Sequence, residues 1–156
     1  MKYTYIIDIS DIDQAWQNLE KRCRYEIRRC NEHVWKSLDI ERFNEIHKIT
    51  RPDRVIDEEF IYKVFRDWNC VIFSTTCASA MIGVRGKTGY YLLGARDKRI
   101  QPNGSSSKIL WEAMKELNSM GCTKFDMCGA NKPNIKMFKK SFGGKLVEQP
   151  TPCLNY

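Results

Sequence analysis

What most constrains this chain is the change of hydrophobic period across residues 88 to 121. Thr88 to Ala95 is an apolar run with two tyrosines, two leucines and no proline, and it reads as a buried strand. Gln101-Pro-Asn-Gly104-Ser105-Ser106-Ser107-Lys108 follows. Apolar residues then recur at 109, 110, 113, 114, 117 and 120, one face of a helix with a period near 3.6, and Gly121 supplies a stop. A strand that passes through small residues into a helix start can hold an anion. The first N–H groups of a helix lack internal partners, the helix dipole adds partial positive charge, and small side chains permit close approach. Asn103, Gly104, Ser105, Ser106 and Ser107 are thus candidate ligands of a diphosphate. Serines in this position are equally good caps of an ordinary helix.

The flanking sequence supplies partners for that unit. Tyr3 to Ile9 alternates as a strand. Ser10 or Asp11 can cap a helix with apolar positions 12, 15, 16, 19, 23, 27 and 30, whose other face carries Lys21, Arg22, Arg24, Arg28 and Arg29. Such a face is either solvated or a phosphate contact, and no aromatic residues are interleaved to stack bases. A short strand over 33–37 precedes a helix from Asp39 to about Lys48, with His47 as a packed core residue. The proline turn with Arg51 and Arg54 breaks it, and the next helix opens on Asp57-Glu58-Glu59. Three short strands over 70–76, 78–84 and 89–95 come before the central helix. A strand over 123–127, a helix over 131–141 and a strand over 145–148 come after it. This order predicts an α+β fold: a sheet with helices on both faces.

The 156 residues suffice for one domain that buries roughly two-thirds of its surface. Residues 1–30 form an N-terminal strand and basic helix, and 34–149 the core. No apolar run approaches the roughly 20 residues of a membrane helix, and the N-terminus lacks a secretory pattern. Seven scattered cysteines, without zinc-site spacing, read as reduced thiols of a cytoplasmic protein, and no metal is expected. A net charge of +7 suits an anionic partner such as a nucleotide cofactor or tRNA without requiring one.

Gln101-x-x-Gly104-x-Ser106 resembles the Gln/Arg-x-x-Gly-x-Gly/Ala signature of the GNAT superfamily of N-acyltransferases, with Ser in place of the last Gly or Ala. Asn131-x-x-Asn134-x-x-Met137-Phe138-x-Lys140-x-Phe142 resembles the superfamily's late helix. There Asn lies near the pantetheine of coenzyme A, and a tyrosine often protonates the leaving thiolate. Phe138 stands at the tyrosine position and has no proton to give. A narrower likeness rests on Arg24-x-x-Ile27-Arg28-Arg29, Asp126-x-x-Gly129 and Phe138-Lys139-x-x-Phe142-Gly143-Gly144. These resemble the second GNAT domain of Fem-type peptidyltransferases, which carry two such domains and move amino acids from aminoacyl-tRNA onto peptidoglycan precursors.

The resemblance implies a central mixed, largely antiparallel sheet with splayed strands, and acyl transfer to an amine. In the first form the donor is acetyl-CoA or another acyl-CoA, held by Gln101, Asn103 to Ser107, Asn131 and Phe138. The oxyanion is then met by backbone N–H groups where strands part, near Leu92 to Ala95, with Leu93 and Gly94 as the candidate residues. Such donors are worth about 3–4 kcal/mol each. Asp126 is the candidate base, or else a turn former. Lys139 neutralises developing charge or is simply solvated, and Arg51 and Arg54 are candidates to bind an acidic acceptor. In the second form an aminoacyl-tRNA ester is the donor, a cell-wall precursor the acceptor, and a homodimer supplies the second domain. In the third the chain is an inactive GNAT-like binding module. A Gly104→Glu change is expected to block the diphosphate and leave the fold intact.

Overall fold

The computed structural model describes residues 2–50, 58–129 and 133–149. In chain order the elements are β1 (Lys2–Asp8), α1 (Ile12–Asn18), α2 (Lys21–Arg29), β2 (Trp35–Ser37), α3 (Ile40–Thr50) and α4 (Glu58–Asp67). After these come β3 (Val71–Ser74), β4 (Ala78–Arg85), β5 (Thr88–Arg96), α5 (Ser105–Ser119), β6 (Lys124–Asp126), α6 (Pro133–Lys140) and β7 (Lys145–Gln149). The strands make one sheet in the order β2-β3-β4-β5-β6-β1-β7. Only β5 and β6 run parallel, and each remaining neighbour pair is antiparallel.

Local chemistry explains most of the boundaries. Asp11 caps α1 by accepting from the N–H groups of Asp13 and Gln14, and Asp39 accepts from that of Arg42. Gly86, at φ +61°, turns the two-residue loop between β4 and β5. Gly121, at φ +93°, follows the end of α5.

Hydrophobic cores lie on both faces of the sheet. Helices α1, α2 and α5 cover one, with Leu19, Cys23, Ile27, Ile109, Leu110 and Phe142 buried against Tyr5, Ile7, Phe73 and Ala80. Helices α3 and α4 cover the other, where Phe43, Ile46, Ile61, Val64 and Trp68 bury Ile72, Met81 and Leu92. His47 is 4% exposed and stacks on Phe43 with ring centres 5.8 Å apart.

One helix expected over 12–30 is two. Leu19 and Glu20 are extended, and the Glu20 N–H donates to the Ser141 carbonyl 2.9 Å away. The Arg24 guanidinium donates to the carbonyls of Gln17 and Leu19, which α1 leaves unpaired at its end. A partner 121 residues along the chain sets this break, so the local period does not reveal it.

Candidate active site

The site begins with an irregularity in β5. Its pairing with β4 matches Met81 to Leu93 but Ile82 to Tyr91, leaving Leu92 as a bulge. Leu92 and Leu93 therefore both pack on the α3–α4 face. Tyr91 and Gly94, three apart, come to face α5 together. At the same place β5 leaves β6: their parallel pairing covers Thr88 to Tyr90 against Lys124 to Asp126 and goes no further. From Tyr91 onward β5 has an edge with no strand beside it among the described residues.

A groove of about 580 Å³ lies over that edge. Tyr91, Gly94 and Ala95 line it from β5, Ser79 and Ala80 from β4, Ile109 and Leu110 from α5, and Ile135 and Phe138 from α6. A second groove of about 390 Å³ runs from the start of α5 towards α2 and the end of α6. Both are lined by Arg96, Ser106 and Phe138, so they are two lengths of one channel with Phe138 at the junction. Phe138 is held edge-on against Phe142, ring centres 5.5 Å apart.

The helix start at the junction is only partly open. Asn103 Oδ1 accepts from the Ser105 N–H at 3.1 Å, which removes one donor. The Ser105 hydroxyl is buried and lies 3.4 Å from the Cys77 sulfur and 3.8 Å from that of Cys30. Gly104, at φ +82°, presses on α2: a β-carbon there would stand 2.3 Å from the Glu26 carbonyl oxygen. Its lack of a side chain admits a helix rather than a phosphate, which corrects the expectation that a larger residue here leaves the fold intact. The N–H groups of Ser106 and Ser107 have no acceptor among the described residues, and Ser106 is half-buried at the channel. These two amides are what the turn offers an anion.

Around them this end of the channel carries Arg22, Arg96 and Lys140 against Glu20 and Glu26. The other arginines of α2 are engaged within the chain. Arg24 caps α1, Arg28 lies over Trp16 at 5.1 Å, and Arg29 lies over Tyr25 at 5.4 Å. The basic stripe thus does include aromatic partners, supplied from α1 and from α2 itself. Cys23 also lines this end, and burial pushes its thiol up to about 11. It is no thiolate nucleophile at neutral pH.

Asp126 and Lys139 organise the loop that leaves β6. The Asp126 carboxylate accepts from the Thr4 hydroxyl and from the Cys128 N–H, each at 2.7 Å, and Thr4 in turn accepts from the Gly129 N–H at 2.9 Å. The Lys139 ammonium, 8% exposed, donates to the carbonyls of Met127 and Gly129. It also stands 5.4 Å from the centre of the Tyr91 ring. Cys128, between the two carbonyls, has φ +55°. A carboxylate and an ammonium therefore clamp this loop from opposite sides, beside the parted edge of β5.

Of the sequence candidates, Gly94, Asn103, Gly104, Ser105, Ser106, Ser107 and Phe138 line the channel. Gln101 is exposed outside it, and Leu93 packs on the opposite face of the sheet. Asp126 and Lys139 lie in the adjoining loop clamp. Asn131, Arg51 and Arg54 lie outside the described residues. Sequence reasoning passed over Tyr91 and Arg96, and named Arg22 within the basic face read as solvated or a phosphate contact.

No family model matches the chain, and no curated protein matches it by sequence. Solved structures do match it. FemX superposes with a TM-score of 0.83 at 15% identity over 96% of this chain. The C-terminal domain of a putative lysylphosphatidylglycerol synthetase from Agrobacterium fabrum gives 0.68 at 12% over 93%. L-PGS from Bacillus licheniformis gives 0.62 at 12% over 93%. The chain spans 60% of the length of the first and 57% of each of the others. Parted parallel strands, a helix start at their mouth and a late helix followed by Phe142-Gly143-Gly144 therefore sit on a GNAT-like fold shared with FemX.

Proposed function

We propose that the chain is an N-acyltransferase that moves an acyl group from a phosphate-bearing activated donor to an amine. The observation that carries this is the continuous channel from the amides of Ser106 and Ser107, past Phe138, to the free edge of β5. A donor phosphate would sit on those two amides with Arg22, Arg96 and Lys140 around it. The acyl arm would pass Phe138, and the carbonyl would lie along the parted strand. Main-chain donors there stabilise an oxyanion without having to reorient. Lys139 and Asp126 shape the loop on the other side of the gap, and the amine would attack from there after losing its proton to solvent.

An aminoacyl ester at the end of a tRNA is the favoured donor. The turn presents two free amides rather than a run of them, because Asn103 and α2 occupy its inner side, and that suits a single phosphate better than a diphosphate. The likeness to FemX across nearly the whole chain supports the same choice. Acyl-CoA is the second reading, favoured by the apolar stretch of channel formed by Ile109, Leu110 and Ile135. We further propose that a second copy of the chain completes the acceptor side.

Thermal melting with each donor tests this. Stabilisation by aminoacyl-tRNA that weakens steeply with salt supports the first donor, and stabilisation by acetyl-CoA supports the second. No shift with either contradicts the assignment of the channel.

A further inference from the structure

The channel holds a phenol where the fold's usual acid is missing. A β-carbon on Gly94 would stand 1.8 Å from Tyr91 Oη and 2.8 Å from its ring carbon Cζ. The Tyr91 side chain therefore lies flat along β5, and its hydroxyl rests on the one residue of that edge with no side chain. The bulge at Leu92 makes this possible, since without it residues 91 and 94 would face opposite sides of the sheet. Other proton-bearing groups line this length of channel. Ser79 is buried and bonded to Ser74 at 2.7 Å, Ser106 belongs to the donor's phosphate end, and Arg96 does not give up a proton at neutral pH. Lys98 is exposed at the rim. Phe138, opposite, has none. The Lys139 ammonium stands 5.4 Å from the ring centre.

We infer that Tyr91 is the catalytic acid of the transfer, an assignment that rests on the acyltransferase reading of the channel. The amine nitrogen bonds to the donor's carbonyl carbon. The bond from that carbon to the leaving oxygen or sulfur then breaks, and the leaving atom takes the Tyr91 hydroxyl proton. The proton shed by the attacking amine goes to solvent, and solvent reprotonates the phenolate, so the enzyme returns to its starting state. The acid has moved from the late helix to the strand facing it, across the same channel.

The test is transfer to a small amine from whichever donor stabilises the protein, in wild type, Tyr91→Phe, and the double variant Tyr91→Phe with Phe138→Tyr. Tyr91→Phe keeps the ring, so KM for the donor stays within a factor of about two while kcat falls about a hundredfold, the usual size of an acid's contribution. A donor with a more acidic leaving group recovers most of that loss, because such a group departs without a proton. The double variant, which restores a phenol from α6, recovers at least about a tenth of wild-type kcat. A Tyr91→Phe enzyme with undiminished kcat, or one whose defect ignores the leaving group, overturns the inference and leaves the acyltransferase reading standing. A wild-type protein that transfers from neither class of donor overturns both.

Discussion

The main-chain carbonyl oxygen of Glu26 occupies the space that a side chain on Gly104 would need, 2.3 Å from where its β-carbon would stand. The turn that opens α5 and the middle of α2 are thus locked together backbone to backbone. The same contact that seats the helix start also closes its inner side, so an anion can approach only from the Ser106–Ser107 side.

Two substitutions separate these roles. Gly104→Ala combines a left-handed backbone with the clash on Glu26, and it is expected to destabilise the protein by at least about 2 kcal/mol in urea unfolding. Ser106→Glu places an acid in the first turn of a helix, where the dipole favours it. Its melting temperature should hold or rise slightly, while affinity for a phosphate-bearing donor drops at least about tenfold, the equivalent of ~1.4 kcal/mol.

Neighbouring lysines on α6 should behave oppositely. Lys139→Met leaves the carbonyls of Met127 and Gly129 without their charged donor, a loss of about 1.5–3 kcal/mol. Lys140 is exposed where the channel meets the start of α5, so Lys140→Met should leave stability unchanged and weaken donor binding instead. Melting curves and a donor titration on the same two variants check both halves.

Burial pushes the Cys23 thiol up to about 11 and the Cys70 thiol up to about 12, from an ordinary 9.0. The fold holds these protons more tightly than the unfolded chain does. Their contribution is therefore fully present below pH 9.0 and is lost as pH rises towards 11 and 12. The urea midpoint should fall between about pH 8 and about pH 11, and Cys70→Ala should flatten that decline although it lowers stability at neutral pH.

The helical stripe of Ile109, Leu110, Ala113, Met114 and Leu117 was legible because a period of 3.6 repeats locally, and the bury-and-expose pattern of α4 was legible for the same reason. The hairpin at Gly86 and the caps at Asp11 and Asp39 were readable from turn and cap chemistry. The break at Leu19–Glu20 was not, because it depends on the Ser141 carbonyl and the Arg24 guanidinium, neither of which changes the local pattern. Gly104 read as a small residue that lets a diphosphate approach, with the fold indifferent to its replacement; its packing against the Glu26 carbonyl was not legible, since the approach of α2 is a tertiary fact. Tyr91 read as one more core aromatic of a strand. Its turn into the channel follows from a one-residue bulge that no alternation pattern announces.

The central claim is that an acyl donor lies along the channel from the start of α5 to the free edge of β5. Its most direct test is a map of backbone amide chemical shifts while a non-reactive acyl-donor analogue is titrated in. The account predicts that the Ser106 and Ser107 amides move first and furthest, together with those of Tyr91 to Ala95 and Phe138. Saturable binding that leaves Ser106 and Ser107 unmoved, with the changes confined to α3 and α4, would contradict it.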